Sequence, residues 1–322
     1  LSDTSIGQGF PFGLSHSNKM CILKRVLKKI NVMAQEGSMS AQVEFDAFLR
    51  FEARPLTPAL GAELIGADLT RPDAQLFDEV HSALLQYKVV FFRDQALHRE
   101  QHIAFALGFG ELEIHPATPA DQPDPEVLRI AHGPKSRGSE NNWHSDVTWR
   151  ERPSLGSILR AIELPDNGGD TLFANMVMAY DRLSDAMKEK IDGLVAVHDI
   201  ARVFAKRLGK APEELHEKYP PSEHPVVRTH PETKERLIYV NDGFTSHIKD
   251  MDAQESDAIL KKLYQTAWNP EVQCRFRWAP GSLAFWDNRA CQHFAASDYF
   301  PHVRVMERVT IAGDKPYFDA GA

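Results

Sequence analysis

Apolar residues recur at helical spacing in three places along the chain. After Asp73, the positions Leu76, Phe77, Val80, Leu84 and Leu85 make one stripe, which predicts an amphipathic helix opened by an aspartate cap. Between Ser184 and Gly193, Met187 and Ile191 share a face while Lys188 and Glu189 point away, so a short helix with a cap at each end is expected. From Asp252 to Ala267, the residues Ile259, Leu260, Leu263 and Tyr264 form the third stripe. Strands show a different signature. The run KVVFF ending at Phe92 is β-branched and aromatic after its lysine, as a buried strand would be. Val272, Cys274, Phe276 and Trp278 alternate with Gln273, Arg275 and Arg277, and period two means one buried face. A Pro280-Gly281 turn then feeds SLAFW, RVMERVTI closes the sheet, and PLTPALGAELIGADL supplies a short strand with turns near the start. In the second half strands outnumber helices and are not interleaved with them one for one. That argues against a doubly wound parallel sheet and for an antiparallel sandwich or barrel with helices outside.

The first 40 residues stand apart. Between Lys19 and Lys29 there are five basic residues and no acid, with Ile22, Leu23, Val26, Leu27 and Ile30 on one helical face. A membrane-surface helix or the remains of a transit peptide has this pattern. With Met20, Met33 and Met39 inside it, the plainer reading is an extension (1–40) outside the fold, followed by one catalytic domain over 50–322. At 43% hydrophobic and 25% charged residues, the chain is neither disordered nor low in complexity. Its 37 basic against 45 acidic residues leave a net charge of −8, which repels nucleic acid and anionic membranes. Cys21, Cys274 and Cys291 share no short spacing, so no disulfide framework or thiolate zinc site is indicated, and a reducing cytoplasm fits. No apolar run approaches the roughly 20 residues of a membrane span.

The chemistry concentrates in a few strings. NNWHSDVTW places His144 and Asp146 two apart, and on an extended strand end both side chains point to one face. An imidazole and a carboxylate can then grip one ion. His293 of WDNRACQHF, just after a buried strand, is a candidate third ligand for the two-His-one-carboxylate face that suits non-haem Fe(II). WHSDVT, ELPDNGGDTLF, HPVVRTHPETKERLIYVNDGFT and WDNRACQH, followed by Arg304 and Arg308, together resemble the taurine dioxygenase family of Fe(II)- and 2-oxoglutarate-dependent dioxygenases. The match is collinear from about Leu56 to the GDKPYF tail. The resemblance implies a mainly β fold with flanking helices around a double-stranded β-helix (jelly-roll) core, with His144, Asp146 and His293 binding Fe(II). It implies also that Arg304, eleven residues after His293, binds the far carboxylate of 2-oxoglutarate with help from Thr171. A guanidinium fork and a hydroxyl suit that anion. The reaction so implied consumes dioxygen and 2-oxoglutarate, releases succinate and carbon dioxide, and hydroxylates a substrate carbon.

For the substrate, the family grips a sulfonate through a histidine in an IHP string and an arginine four residues past the oxoglutarate arginine. Here these are His115 and Arg308. Phe204 and Phe244 match its pocket aromatics, and Val147 follows the carboxylate ligand into the same pocket. Three positions depart: the family's amide, tyrosine and serine become Glu140, Thr118 and Val203. The anion grip is kept while taurine itself is put in question, with Glu140 the one feature that would favour an amino-sulfonate. The expected reaction releases sulfite and an aldehyde from taurine or a related alkanesulfonate. Alternatives are an alkyl-sulfate dioxygenase releasing sulfate, a phenoxyalkanoate dioxygenase, and a non-catalytic anion-binding jelly-roll. The expected protein is a cytoplasmic homo-oligomer, dimer or tetramer, whose partner is a small sulfonate or sulfate ester. On this reading Arg304→Ala affects 2-oxoglutarate and Arg308→Ala chiefly the sulfur-bearing substrate.

Overall fold

The computed structural model describes residues 48–322, apart from 117, 120, 139 and 140. The cationic N-terminal segment and Glu140 lie outside the described residues. Chain order begins with β1 (Glu52–Pro55), β2 (Ala62–Ile65), α1 (Ala74–Tyr87), β3 (Val89–Phe92), α2 (Arg99–Leu107) and β4 (Leu112–Glu113). It continues through β5 (Val127–His132), β6 (Gly156–Glu163), β7 (Thr171–Asn175), α3 (Met176–Asp181), α4 (Asp185–Ile191) and β8 (Val195–His198). Next come α5 (Ala201–Leu208), α6 (Pro212–Lys218), β9 (Ser222–Pro225), β10 (Val227–Thr229), β11 (Arg236–Ile238) and β12 (Thr245–Ile248). The last elements are α7 (Ala253–Thr266), β13 (Gln273–Phe276), β14 (Leu283–Asp287), β15 (Cys291–Ala295) and β16 (Arg304–Ile311).

All three helices expected from the apolar stripes are present, with Asp73, Ser184 and Asp252 accepting bonds from the first-turn amides. The major sheet has eight strands in the order β1-β2-β3-β14-β6-β16-β4, with β5 also paired to β16. A minor sheet runs β13-β7-β15. Among the named pairs of these two sheets only β2 and β3 run parallel, in keeping with the antiparallel sandwich expected.

Period-two alternation divides the major sheet between two cores. Val89 and Phe91 of β3 and Ala284 and Trp286 of β14 face Phe173, Cys274, Phe276 and Cys291 of the minor sheet. Phe91 stacks on Phe276 with centroids 4.0 Å apart. Val90, Phe92, Leu283 and Phe285 turn the other way and pack under α1 and α2 against Leu76, Val80, Leu84 and Phe105. This double burial is why KVVFF is apolar at every strand position. The sandwich carries the site, because Thr171 opens β7, His293 lies in β15, and Arg304 and Arg308 lie on β16.

Three further histidines sit in the packed interior. His102 of α2 bonds the Ile158 carbonyl at 3.1 Å, while His198 and His224 lie with rings 5.1 Å apart. Burial pushes His102 and His224 down to about 4 and His198 well below the ordinary histidine value of 6.5. Below pH 6.5 the unfolded chain therefore binds protons that the fold refuses. Their contribution is complete above pH 6.5 and is lost as pH falls, at up to roughly 1.4 kcal/mol per unit for each histidine. Urea unfolding at pH 7.5 and 5.5 is expected to show clearly lower stability at 5.5, and equal midpoints would contradict this account.

Candidate active site

His144 and His293 are joined before any ion is considered. Their backbones exchange bonds, His144 N to His293 O at 3.1 Å and His293 N to His144 O at 2.8 Å, so the imidazoles lie side by side with centroids 4.2 Å apart. The expectation that Asp146 continues the same extended strand is corrected. Only His144 lies in an extended bridge, and the chain turns immediately afterwards, with Val147 at φ 48. A β-branched residue in that left-handed region is strained, but the turn folds the carboxylate back over the imidazoles. Asp146 Oδ1 stands 3.9 Å from His144 Nε2 and 4.0 Å from His293 Nε2. The three ligand atoms lie within 4.8 Å of one another, a spacing one cation can bridge.

The donor set fits a divalent metal in its chemistry as well. His144 Nδ1 lies 2.9 Å from the Asn142 carbonyl, which places a proton there and leaves Nε2 a lone pair for the centre. Burial, then the neighbouring His144, holds the His293 imidazole down at about 3, so it is neutral and able to ligate. Burial alone would raise the Asp146 carboxyl, but the Arg308 guanidinium and the Ser157 hydroxyl hold it well below the usual carboxylate range. Arg308 Nη1 donates to Oδ1 at 2.5 Å and Ser157 Oγ to Oδ2 at 2.9 Å.

Beside the triad a narrow cavity is lined by His144, His293, Leu159, Trp286, Thr171, Arg304 and Arg308. Arg304 is buried, donates from Nε to the Gly169 carbonyl at 3.1 Å and lies near the rings of Trp278 and Tyr299. Gly169, at φ 73, runs so close to Arg304 that a Cβ would come within 2.8 Å of its Cδ, so the GGDT string is required by this approach as well as by its turn. Thr171 Oγ1 accepts from the Trp278 indole at 3.0 Å. Its own proton is thereby left for another acceptor, as a carboxylate site needs.

On the other side of the triad opens a cavity of about 270 Å³. It brings together every described residue assigned to the substrate from the sequence: His115, Val147, Phe204, Phe244 and Arg308. Phe204 and Phe244 are nearly parallel with centroids 6.5 Å apart, and the His115 ring is 5.8 Å from Phe204. Leu128, Ile130, Val203 and Leu208 extend the apolar wall. Burial, then Arg308, pushes His115 down to about 3, so it offers an uncharged N–H. Among the described residues, Asp146 supplies the only carboxylate lining this cavity.

Sequence reasoning missed the residues that brace these groups. Asn288 accepts from Asp146 N at 2.6 Å and donates to Asp146 O at 2.9 Å and Ser154 Oγ at 3.0 Å. Its place in WDNRACQH was visible, its target was not. Ser157, on β6, carries no local signal, and Trp278, legible as the last buried position of the alternation from Val272, lies past the end of β13, where its bond to Thr171 could not be foreseen. Asn288→Ala strands the buried Asp146 amide and is expected to lower unfolding free energy by roughly 2 to 4 kcal/mol. Chemical denaturation checks this, and an unchanged midpoint would refute the bracing role.

A jelly-roll sandwich with a His-Asp-His cluster at its open end is the architecture of the Fe(II)- and 2-oxoglutarate-dependent dioxygenases, and relatives agree. Residues 52–310 match the family described as "Taurine catabolism dioxygenase TauD, TfdA family". An alpha-ketoglutarate-dependent sulfate ester dioxygenase of Pseudomonas putida is 35% identical over 278 residues, covering 83% of this chain and 91% of its own. An alkylsulfatase of Acinetobacter baylyi is 33% identical, over 82% and 86%. The crystal structure of a taurine dioxygenase from Burkholderia xenovorans superposes with a TM-score of 0.74 at 38% identity, covering 85% of this chain and 93% of that one. The chain is a 2-oxoglutarate-dependent dioxygenase that uses Fe(II) and dioxygen. It belongs to the TauD/TfdA family. Among the described residues no helix is long and apolar enough to cross a membrane.

Proposed function

We propose that the chain hydroxylates the carbon bearing a sulfur oxyanion on an apolar alkyl tail, with an alkyl sulfate ester as the first substrate class. The observation that carries this reading is the larger cavity, which joins the His115 and Arg308 donors to walls of Val147, Val203, Phe204 and Phe244. His144, Asp146 and His293 would hold Fe(II), while Arg304 and Thr171 would hold the far carboxylate of 2-oxoglutarate. Bound there, Fe(II) with 2-oxoglutarate and dioxygen would supply the oxidant, with succinate and carbon dioxide as co-products. Arg308 and the neutral N–H of His115 grip the sulfur oxyanion, which orients the adjacent carbon toward the triad. The aromatic and aliphatic walls exclude water from the tail. A hydroxylated ester carbon then collapses to an aldehyde and sulfate.

An alkanesulfonate, cleaved to aldehyde and sulfite, is the second reading, favoured by the same anion grip and by the taurine dioxygenase likeness. Taurine fits less well, because its ammonium meets no described carboxylate apart from Asp146. Oxygen uptake with hexyl sulfate, hexanesulfonate, taurine and a phenoxyalkanoate, with sulfate and sulfite measured, tests the ranking. Sulfate release with hexyl sulfate as the best substrate is expected. Preference for taurine would overturn it, and turnover of phenoxyalkanoates alone would reject both sulfur readings.

A further inference from the structure

The strand leading to the anion grip leaves the sheet early. β4 ends at Glu113, opposite Thr310 of β16. Two positions back along β16, Arg308 is already paired with Leu128 of β5, so the ladder has no place for the chain beyond Glu113. His115 must reach the cavity from a segment that sheet bonds no longer hold. Arg150 meets that segment from the turn that follows Asp146. Its Nη1 lies 2.9 Å from Glu113 Oε2, and its Nη2 donates to the Ile114 carbonyl at 3.0 Å. One planar fork thus holds both residues preceding His115. Arg150 is itself fixed, with N donating to Val147 O at 3.0 Å and Cζ 5.2 Å from the Trp149 ring.

We propose that Arg150 is a positioning residue that sets His115 against the Asp146–Arg308 pair and thereby determines affinity for the sulfur oxyanion. The identity of that anion rests on the function proposed above. Arg150 does not line the cavity, so it acts through His115 rather than on the substrate. It lies four positions after Asp146, and a single turn therefore carries the metal-capable carboxylate, the Val147 wall and the clamp on the segment of His115. A shift of His115 by a fraction of a hydrogen-bond length would weaken the anion contact and leave the 2-oxoglutarate cavity as it was.

The test compares wild type, Arg150→Met and Arg150→Lys, each loaded with Fe(II) and 2-oxoglutarate without oxygen and titrated with hexyl sulfate. Arg150→Met is expected to weaken hexyl sulfate binding about five-fold or more while 2-oxoglutarate affinity stays within about two-fold. Lysine can pair with Glu113 but cannot also fork to the Ile114 carbonyl, so Arg150→Lys should recover part of the loss. Amide exchange around Ile114 and His115, measured without hexyl sulfate, should quicken in Arg150→Met. Unchanged binding in Arg150→Met overturns the proposal whether or not exchange changes, as does an equal loss of 2-oxoglutarate affinity. If wild type itself ignores hexyl sulfate, the substrate reading falls, and the exchange comparison alone decides the clamp, with unaltered exchange rejecting it.

Discussion

Asp146→Ala should abolish 2-oxoglutarate turnover, with activity down by roughly three orders of magnitude or more. Two losses combine. The substitution removes the oxygen ligand that stands within 4.0 Å of both imidazole Nε2 atoms. It also removes the partner of the Arg308 guanidinium, leaving that buried cation without its carboxylate. Fe(II) with 2-oxoglutarate in the absence of oxygen should give a weak visible charge-transfer band in wild type and none in the variant. His144→Ala should lose the band as well. Retention of the band with full turnover in both variants would mean that the metal lies elsewhere. Asp146→Asn is a sharper probe, since it keeps the size of the side chain and removes its charge.

Arg304→Ala should raise the 2-oxoglutarate requirement by roughly 10-fold to 100-fold, the cost of removing a buried fork from a carboxylate. Hexyl sulfate binding, measured at saturating 2-oxoglutarate, should stay within about two-fold, because Arg304 lines the inner cavity and not the larger one. Arg308→Ala is expected to behave differently from the clean separation that the sequence suggested. Arg308 lines both cavities and is bonded to Asp146, so its loss should weaken substrate binding and Fe(II) binding together. Equal effects of the two variants on 2-oxoglutarate would remove the proposed division of labour.

The helices and strands that could be read from the sequence are those whose burial follows one period. α1 and α7 present a single stripe, and β14 is apolar at nearly every position because helices cover one face and the minor sheet the other. α5 and α6 were missed because they are short and bury little, with only Ala201 and Phe204 buried in α5 and Leu215 in α6. His144, Asp146, His293, Arg304 and Arg308 were legible through their strings, and the structure brings them together. The geometry of the turn was not, since nothing in HSDV announces a valine at positive φ. Braces such as Asn288 on Asp146 and Arg150 on Ile114 span 142 and 36 residues. Contacts of that range exist only once the sheets have closed.

The reciprocal backbone bonds between His144 and His293 have a consequence for synthesis. A chain emerging from the ribosome carries His144 and Asp146 long before β15 exists, and two side chains alone hold ferrous iron weakly. The third imidazole, and the strand that presses the first into place, arrive only when nearly the whole domain has been translated and can fold. Iron capture at these three residues would thereby be tied to completion of the chain. A truncated or half-made copy lacks the seat at which oxygen would be activated, and a nascent chain is spared a reactive centre that has no substrate pocket around it.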